Sequence, residues 1–190
     1  YKVTWIAATL GEKMGLSPSK IKNLIAGSFL HDVGKIATPD NILLKPGKLT
    51  EEEMIIMKEH VTHGEDIVKN LGWFSDSLHV VSSHHEKWNG TGYPRKLSGE
   101  NIPIEARVFA VADVFDALCS KRPYKDEVEI SEVMNYIKAQ SGSHFDPSIV
   151  SQFEDLAPLM YEKTHGIGEQ DAKKLLQPLI DKYFSVDLLD

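Results

Sequence analysis

Apolar residues recur along this chain with the period of an α-helix. Val3, Ile6, Leu10 and Met14 follow one another at intervals of three or four residues, and Gly15 comes directly after them. This spacing places an apolar stripe on one face of a helix, and glycine is the residue that most often ends a helix. No segment in the middle of the chain alternates apolar and polar residues for long enough to predict a strand. The pattern therefore predicts an all-α fold.

Helix-starting signals divide the rest of the chain into further helices. Ser17-Pro18 places a capping hydroxyl and a first-turn proline before an apolar segment. Residues 50–53, Thr-Glu-Glu-Glu, form a capping box, which predicts a helix over 51–69. The remaining helices are predicted over 78–86, 104–119, 129–140, 147–153 and 171–183. Residues 87–103 form a long irregular segment, and a segment of this kind inside a domain is usually functional.

Chain length and the apolar pattern together predict one main domain with a small extension. A chain of 190 residues is long enough for one domain with a substantial core. We assign residues 1–154 to this domain and residues 155–190 to a C-terminal helical extension. Since no run of about 18 apolar residues exists, we expect no membrane-spanning helix. Because Tyr1 already lies inside a helical pattern, we expect the chain to be a piece of a longer protein.

The charge and cysteine content narrow the possible partners. A formal net charge of −7 argues against binding to the backbone of a nucleic-acid polymer. A small anionic ligand stays compatible with this charge, because bound divalent cations would reverse its sign locally. Cys119 is the single cysteine, and its apolar neighbours predict a buried free thiol. We therefore expect a reducing, cytoplasmic environment.

The strongest chemical signal is the adjacent pair His31-Asp32 at the end of an apolar segment, with Lys35 close behind. On its own such a pair is more often a structural contact in a core. Further imidazole and carboxylate groups follow on other predicted helices: His60, His84, His85 and Asp113. Neutral imidazoles and carboxylates are ligands of hydrolytic divalent metals, and two such ions close together can activate water and bind a phosphodiester. We therefore predict a metal-dependent phosphohydrolase.

Several of these side chains have alternative interpretations. Asp113 interrupts the most apolar predicted helix, where a carboxylate without a partner or a metal would cost several kcal/mol. Lys35 could stabilise the C-terminal end of a helix, or it could neutralise charge on a phosphoryl group. Arg122 and Lys125 flank Pro123-Tyr124, either as a solvated basic turn or as contacts for a second phosphate. In the context of a metal site, we favour the phosphate interpretation for all three cations.

Seven segments of the chain follow one another in an order that is informative as a set. They span residues 30–36, 42–47, 57–60, 84–94, 111–118, 122–124 and 145–147, and they include the runs His31-Asp32-Val33-Gly34-Lys35 and Gly92-Tyr93-Pro94. With these segments the chain resembles the HD-GYP domain, a subgroup of the HD superfamily of metal-dependent phosphohydrolases. The resemblance extends over residues 2–153.

The resemblance implies a fold, an activity and a set of site residues. The fold would be an HD-type helical bundle with two or three divalent metal ions in its core, iron or manganese in most cases. The activity would be hydrolysis of a cyclic dinucleotide, typically cyclic di-GMP, to a linear dinucleotide or to mononucleotides. The metal ligands carried over by position are His31, Asp32, His60, His84, His85 and Asp113, with Asp32 as the bridging carboxylate.

The resemblance also implies substrate contacts and partners. Asp32 and Lys35 would be the catalytic pair, and the substrate contacts would be Lys35, Gly92, Tyr93, Arg122 and Lys125. A cyclase is an expected partner at the Gly-Tyr-Pro loop, and a sensor or receiver domain is expected upstream. The metal-binding histidine that the family carries before the position of Lys2 would lie upstream of Tyr1, and Asn89 and Lys96 stand where the family usually has aspartate and glycine.

Three alternatives remain open at this point. The substrate could be a mixed cyclic GMP-AMP, because the side chains that read the bases cannot be placed from the sequence. The domain could be another HD-type hydrolase such as a nucleotidase, although the long Gly-Tyr-Pro loop argues against it. It could also be a non-catalytic module that binds the dinucleotide or docks a cyclase, if the upstream histidine is absent from the whole protein.

Overall fold

A computed structural model describes residues 1–71, 78–120 and 129–185. Within these ranges the regular structure consists of helices, without a strand. The α-helices are α1 (Lys2–Lys13), α2 (Pro18–Leu30), α3 (Asp40–Leu43), α4 (Glu51–Lys58), α5 (His60–Val68), α6 (Leu78–Val81), α7 (Ile104–Cys119), α8 (Ile130–Ala139), α9 (Pro147–Thr164) and α10 (Glu169–Phe184). A 3-10 helix, η1 (Val33–Ala37), follows α2, and a second spans Gly99–Asn101. The prediction of an all-α fold is confirmed.

The two helix-starting signals act as predicted. The Ser17 hydroxyl accepts a hydrogen bond from the Lys20 amide at 3.4 Å, at the start of α2. At the start of α4, the Thr50 hydroxyl accepts from the Glu53 amide at 3.2 Å, and the Glu53 carboxylate accepts from the Thr50 amide at 2.8 Å. Both devices bind amide groups of a first helical turn, which have no partner within the helix itself.

The helix predicted over 51–69 is two helices, because the chain turns at Glu59 between α4 and α5. Tertiary packing explains the difference. Helix α4 buries none of its residues, whereas α5 buries His60, Val61, Gly64 and Val68 and packs against η1. Packing against η1 therefore holds α5 in place, whereas α4 lies at the surface.

The helix predicted over 78–86 also ends early, at Val81. In a continued helix the Ser82 carbonyl would accept from the amide of residue 86. Here that carbonyl accepts from the Arg95 guanidinium at 3.2 Å, and the Glu86 amide donates to Ser83 instead, at 2.9 Å. A long-range contact thus replaces the helical hydrogen bond, so that His84 and His85 lie in a turn.

Helix α7 lies at the centre of the core and packs against α1, α2, α6, α8 and α9. Its residues Val108, Phe109, Val111, Ala112 and Phe115 have no exposed surface. Burial of a Val, Leu, Ile or Phe side chain contributes about 1.5–3 kcal/mol, so this one helix supplies a large share of the stabilisation. The buried helix that the sequence predicted over 104–119 is therefore present as α7.

Helix α9 continues well beyond residue 153, where the sequence predicted its end, and reaches Thr164. Pro158 lies inside it, yet the buried neighbours Ala157 and Met160 keep this part of the helix on the core. Leu176 and Leu179 of α10 belong to the same apolar cluster. The boundary at residue 154 therefore falls within a continuous helix, and the division of the chain into two domains stays a prediction.

The last helix is also tied to the first by polar contacts. The Glu12 carboxylate accepts hydrogen bonds from Lys182 at 2.7 Å and from the Tyr183 hydroxyl at 2.8 Å. In the part of the chain that the structure describes, no helix combines the length and the apolar character needed to cross a bilayer. Cys119 is a buried free thiol, and burial raises its pKa to about 12.

Candidate metal centre

Three segments that are distant in sequence bring five of the predicted ligands together. His31 is the C-cap residue directly after α2, and Asp32 follows it. His60 is the first residue of α5, and His84 and His85 lie in the turn after α6. Helix α2 packs against α6, and η1 packs against α5. The site therefore depends on how closely these short elements approach one another.

Two glycines allow the closest of these approaches. A Cβ atom on Gly34 would lie 1.9 Å from the His60 carbonyl oxygen and 2.4 Å from the Gly64 amide nitrogen. Atoms at these separations overlap, so only glycine fits at residue 34 while η1 stays against α5. This contact holds the His31-Asp32 pair next to His60.

Each of the five side chains has a donor atom within 4.8 Å of a donor atom of another. Asp32 is central, with Oδ2 3.3 Å from His31 Nε2 and Oδ1 3.5 Å from His60 Nε2. The Nε2 atoms of His60 and His84 are 3.4 Å apart. His60, His84 and His85 each offer one ligand nitrogen, and these three nitrogens all lie within 4.8 Å of one another. The predicted convergence of imidazoles and a carboxylate is therefore present.

Main-chain carbonyls determine which ring nitrogen of three histidines carries the proton. Nδ1 of His31 lies 2.8 Å from the Ser28 oxygen, and Nδ1 of His60 lies 2.7 Å from the Met57 oxygen. Nδ1 of His84 lies 3.0 Å from the Val81 oxygen. Because a carbonyl only accepts, Nδ1 must donate in each case. On His60 and His84, whose rings are neutral, Nε2 is then unprotonated, which is the arrangement that metal-binding histidines use.

The contact between Nε2 of His60 and Nε2 of His84 tests whether a metal ion fits. With Nδ1 protonated on both rings, the two Nε2 atoms face each other at 3.4 Å with lone pairs and no proton between them. Two imidazole nitrogens on one tetrahedral ion lie roughly 3.3 Å apart, because each metal–nitrogen bond is about 2.0–2.1 Å. The donor set and its spacing therefore fit a divalent cation.

The electrostatics of the cluster favour neutral imidazoles at His60, His84 and His85 and an ionised carboxylate at Asp32. Burial lowers the pKa of His84 to about 3 and that of His85 to about 2, with neighbouring histidines adding to the effect. Burial also lowers the pKa of His60. For Asp32, burial opposes ionisation, but hydrogen bonds from His31 and Lys35 outweigh it and lower the pKa. Metal ligands must be deprotonated, so these side chains are in the right state near neutral pH.

His31 and Asp113 are linked by their charges. Burial disfavours the protonated form of His31, but the hydrogen bond and charge of Asp32 outweigh it, and the charge of Asp113 adds to them, so that the pKa of His31 is raised. Asp113 lies on α7 and is partly buried. The structure thus places Asp113 within electrostatic range of the cluster, on the side of His31.

Lys35 adds a positive charge at the same place. Its ammonium group lies 2.6 Å from Asp32 Oδ2. Lys35 would share a helix face with His31 only if α2 continued beyond it, but α2 ends at Leu30 and η1 carries the lysine. The tighter 3-10 turn brings Lys35 back toward Asp32, three residues earlier.

The Gly-Tyr-Pro loop borders the cluster on the side of His85. A Cβ atom on Gly92 would lie 2.4 Å from the Lys87 amide nitrogen, so the loop needs glycine here to pass the turn. The Tyr93 amide donates to the His85 carbonyl at 3.1 Å, and the Tyr93 ring stacks on the His85 ring with centroids 4.7 Å apart. Burial and the charge of Asp32 raise the pKa of Tyr93, so its hydroxyl stays protonated.

The predicted substrate contacts Arg122 and Lys125 lie outside the described residues.

Two residues that border the site, Lys58 and Glu86, were given no role in the sequence analysis. Lys58 has its ammonium group 5.1 Å from the centre of the Tyr93 ring, and Glu86 binds the loop through its carboxylate. Lys58 precedes His60 by two residues and Glu86 follows His85 directly. Their positions inside the matched segments were the signal that could have identified them.

The sequence pattern of the HD domain family matches residues 1–149 of the chain. The chain is 44% identical over 151 residues to the cyclic di-GMP phosphodiesterase response regulator RpfG of Xanthomonas campestris pv. campestris, covering 78% of this chain and 40% of that protein. It is 42% identical over 151 residues to the 3'3'-cGAMP-specific phosphodiesterase 2 of Vibrio cholerae, covering 78% of this chain and 29% of that protein. The chain therefore spans less than half the length of these relatives.

Solved structures support the fold. The cyclic GMP-AMP specific phosphodiesterase V-cGAP3 of V. cholerae superposes with a TM-score of 0.70 at 22% identity, covering 92% of this chain and 47% of that one. Bd1817, an HD-GYP-type protein of Bdellovibrio bacteriovorus, superposes with a TM-score of 0.63 at 22% identity, covering 82% of this chain and 51% of that one. The helical bundle described above is thus the arrangement that these proteins share.

Proposed function

The chain belongs to the HD domain family, in its HD-GYP group, and on this premise we propose that it is a metal-dependent phosphodiesterase that hydrolyses a cyclic dinucleotide. The observation that carries the proposal is the His60–His84 contact, in which two unprotonated nitrogens face each other beside an ionised Asp32. This arrangement has no use in a purely structural core, because it brings lone pairs together without a donor. A divalent cation resolves it.

The proposed ligands are His31, Asp32, His60, His84, His85 and Asp113, holding two or three divalent ions, with iron or manganese the expected metals. Divalent ions bound here would supply Lewis acidity and would lower the pKa of water near the phosphodiester. Asp32 contacts His31 and His60 through different carboxylate oxygens, at 3.3 and 3.5 Å. This central position is the one a bridging carboxylate needs.

The chain's own cations would then act on the substrate. A cyclic dinucleotide carries two phosphodiester groups, each with one negative charge. Lys35, held against Asp32, is placed to stabilise charge that develops on the phosphoryl oxygens of the reacting group. Arg122 and Lys125 are proposed to orient the second phosphate. Tyr93 keeps a protonated hydroxyl at the edge of the cluster, where it can donate a hydrogen bond to the substrate.

Cyclic di-GMP is the proposed substrate, and 3',3'-cyclic GMP-AMP is the second candidate. The relatives support both, because RpfG is named for cyclic di-GMP and a V. cholerae relative of nearly equal identity is named for 3'3'-cGAMP. We further propose that the protein acts in the cytoplasm, downstream of a sensor or receiver domain, and that a cyclase docks at the Gly-Tyr-Pro loop.

The decisive experiment uses the full-length protein, purified without oxygen. Its metal content is measured by elemental analysis, and the products formed from cyclic di-GMP and from cyclic GMP-AMP are identified side by side. We expect bound iron or manganese and a linear dinucleotide or mononucleotides as products. The H31A/D32A double variant should lose metal and turnover together, whereas H165A, at a histidine between α9 and α10, should keep both.

Two results would refute the proposal. One is normal hydrolysis by a folded H31A/D32A variant, because the reaction would then not depend on these ligands. The other is a metal-loaded wild-type protein that binds either dinucleotide without cleaving it. That second result would support a non-catalytic binding module instead.

A further inference from the structure

His85 differs from the other three histidines of the cluster in how its ring is oriented. His31, His60 and His84 each bind a main-chain carbonyl through Nδ1. The His85 ring makes no hydrogen bond to any residue that the structure describes. Its flat face instead lies on Tyr93, at 4.7 Å between ring centres and 21° between ring planes. The plane of the His85 ring therefore depends on where the loop holds Tyr93.

A buried carboxylate holds that loop. Glu86 is 2% exposed, and each of its carboxylate oxygens accepts a main-chain hydrogen bond. Oε1 accepts from the Arg95 amide at 2.7 Å and Oε2 accepts from the Leu97 amide at 3.0 Å. Buried carboxylates that accept two main-chain hydrogen bonds form strong, directional contacts. Glu86 directly follows His85 in the chain, so its carboxylate connects His85 to the loop residues that come after Tyr93.

Arg95 extends the contact to two other parts of the site. Its guanidinium group binds both carboxylate oxygens of Glu65, at 2.6 and 2.5 Å, and also the Ser82 carbonyl at 3.2 Å. Glu65 lies on α5, the helix that begins with His60, and Ser82 lies in the turn that carries His84 and His85. The loop is therefore fixed to two of the three segments that supply imidazoles, namely α5 and the turn after α6.

We propose that Glu86 is a positioning residue, whose buried carboxylate holds the 92–97 loop so that Tyr93 lies flat on His85 and fixes the ring plane of this metal ligand. The proposal rests on the metal-binding role of His85 within the proposed function. It assigns the Gly-Tyr-Pro loop a task besides substrate contact, namely the support of one ligand that lacks a carbonyl partner.

The test compares two buried glutamates. E86Q keeps the shape of the side chain but puts an NH₂ group opposite an amide donor, so that one of the two loop contacts is lost. Groups that orient metal ligands typically change metal affinity by about 10- to 100-fold when they are replaced. Glu105 is the matched control, because it is 3% exposed on α7 and contacts His79 rather than the loop.

Full-length protein is stripped of metal, and Mn²⁺ affinity is measured by competition with a chelating indicator. We expect E86Q to bind Mn²⁺ about 10- to 100-fold more weakly than the wild type, and E105Q to bind it as the wild type does. Loading with Co²⁺ gives a second readout, because its absorption bands report ligand geometry. These bands should change in E86Q and stay unchanged in E105Q. A folded E86Q with wild-type affinity and spectrum would overturn the proposal.

A second pair of variants covers the case in which E86Q does not fold. Y93F keeps the ring that stacks on His85 and should keep Mn²⁺ affinity, whereas Y93L removes the ring and should weaken it as E86Q would. Equal Mn²⁺ affinity for Y93F and Y93L overturns the proposal while leaving the proposed hydrolysis untouched.

The two proposals fail separately. If the wild type binds metal but does not cleave a dinucleotide, the proposed function fails, and the Mn²⁺ comparison still decides the role of Glu86. A wild type that binds no metal overturns both.

Discussion

His60 Nε2 and His84 Nε2 lie 3.4 Å apart although 24 residues separate them in the chain. Each ring already uses its other nitrogen to bind a carbonyl of its own segment, so neither has a proton to offer the other. The protein has therefore placed two electron-pair donors against each other inside a buried cluster. The predictions below follow from this arrangement and from the packing that maintains it.

Replacing His84 with alanine should remove the stabilisation that metal ions bring. A ligand that binds only the folded state raises the free energy of unfolding in proportion to the logarithm of its concentration. Mn²⁺ should therefore raise the Tm of the wild type progressively, and the Tm of H84A far less. Thermal unfolding followed by circular dichroism at increasing Mn²⁺ measures this, and equal Tm shifts for both proteins would contradict a metal role for His84.

Replacing Lys35 with methionine should slow hydrolysis without removing metal. Lys35 contacts the Asp32 carboxylate through its charge and is not itself a metal ligand. Loss of a group that stabilises charge in the transition state typically costs about 10²–10³ in kcat. Steady-state kinetics together with metal analysis separate the two effects, with K48M, at an exposed lysine, as the control. If K35M loses its metal as well, Lys35 supports the ligands rather than the reaction.

Replacing Gly34 with alanine should destabilise the site through backbone overlap. The new Cβ would lie 1.9 Å from the His60 carbonyl oxygen, so η1 and α5 must separate. Overpacking of this kind costs typically about 1–3 kcal/mol, and here it also moves Asp32 away from His60. Urea unfolding and Mn²⁺ affinity should both show the loss. Gly168→Ala is the matched control, because a Cβ there has no neighbour within 4 Å.

His144 should make stability depend on pH. Burial, and secondarily the charge of Lys87, lowers the pKa of His144 to about 4. Between pH 6.5 and 4 the unfolded chain therefore binds a proton that the folded protein does not, so stability falls as the pH falls. One such proton corresponds to at most about 1.4 kcal/mol per pH unit.

The H144Q variant isolates this contribution. Its free energy of unfolding, measured in urea from pH 8 to pH 4, should fall less steeply than that of the wild type below pH 6.5. Above pH 7.5 the imidazole is neutral in both states, so the two curves should run parallel there. Parallel curves over the whole range would contradict the assignment.

Replacing Leu176 with alanine should destabilise the whole chain if α10 shares the core. Leu176 is 2% exposed and belongs to the apolar cluster that includes α7. Truncation of a buried leucine typically costs about 2–5 kcal/mol. Calorimetry should show one transition at a lower Tm, while Q170A on the exposed side of α10 should unfold as the wild type does. Two separate transitions would instead support an independent C-terminal extension.

Much of the fold could be predicted from the sequence, because capping and helical periodicity are local properties. The hydroxyl of Ser17 and the capping box at Thr50 start their helices where the pattern placed them. Helix ends were less predictable. The end of α6 depends on Arg95, whose guanidinium group donates a hydrogen bond to the Ser82 carbonyl, 13 residues earlier in the chain. Contacts of this kind are not visible in a local pattern.

The sequence by itself determined the helical class and the chemistry of the site. Imidazole and carboxylate side chains are ligands that suit borderline and hard divalent metals, so the identities of His31, Asp32 and His60 were informative before any geometry was known. Only the tertiary structure decided which nitrogen of each ring faces the centre, because that depends on carbonyls and rings that packing brings within hydrogen-bond distance. It also decided the position of His85, whose ring lies on Tyr93 of a loop held by Glu86. The physical reason is that donor chemistry belongs to a single side chain, whereas orientation belongs to the contacts between several.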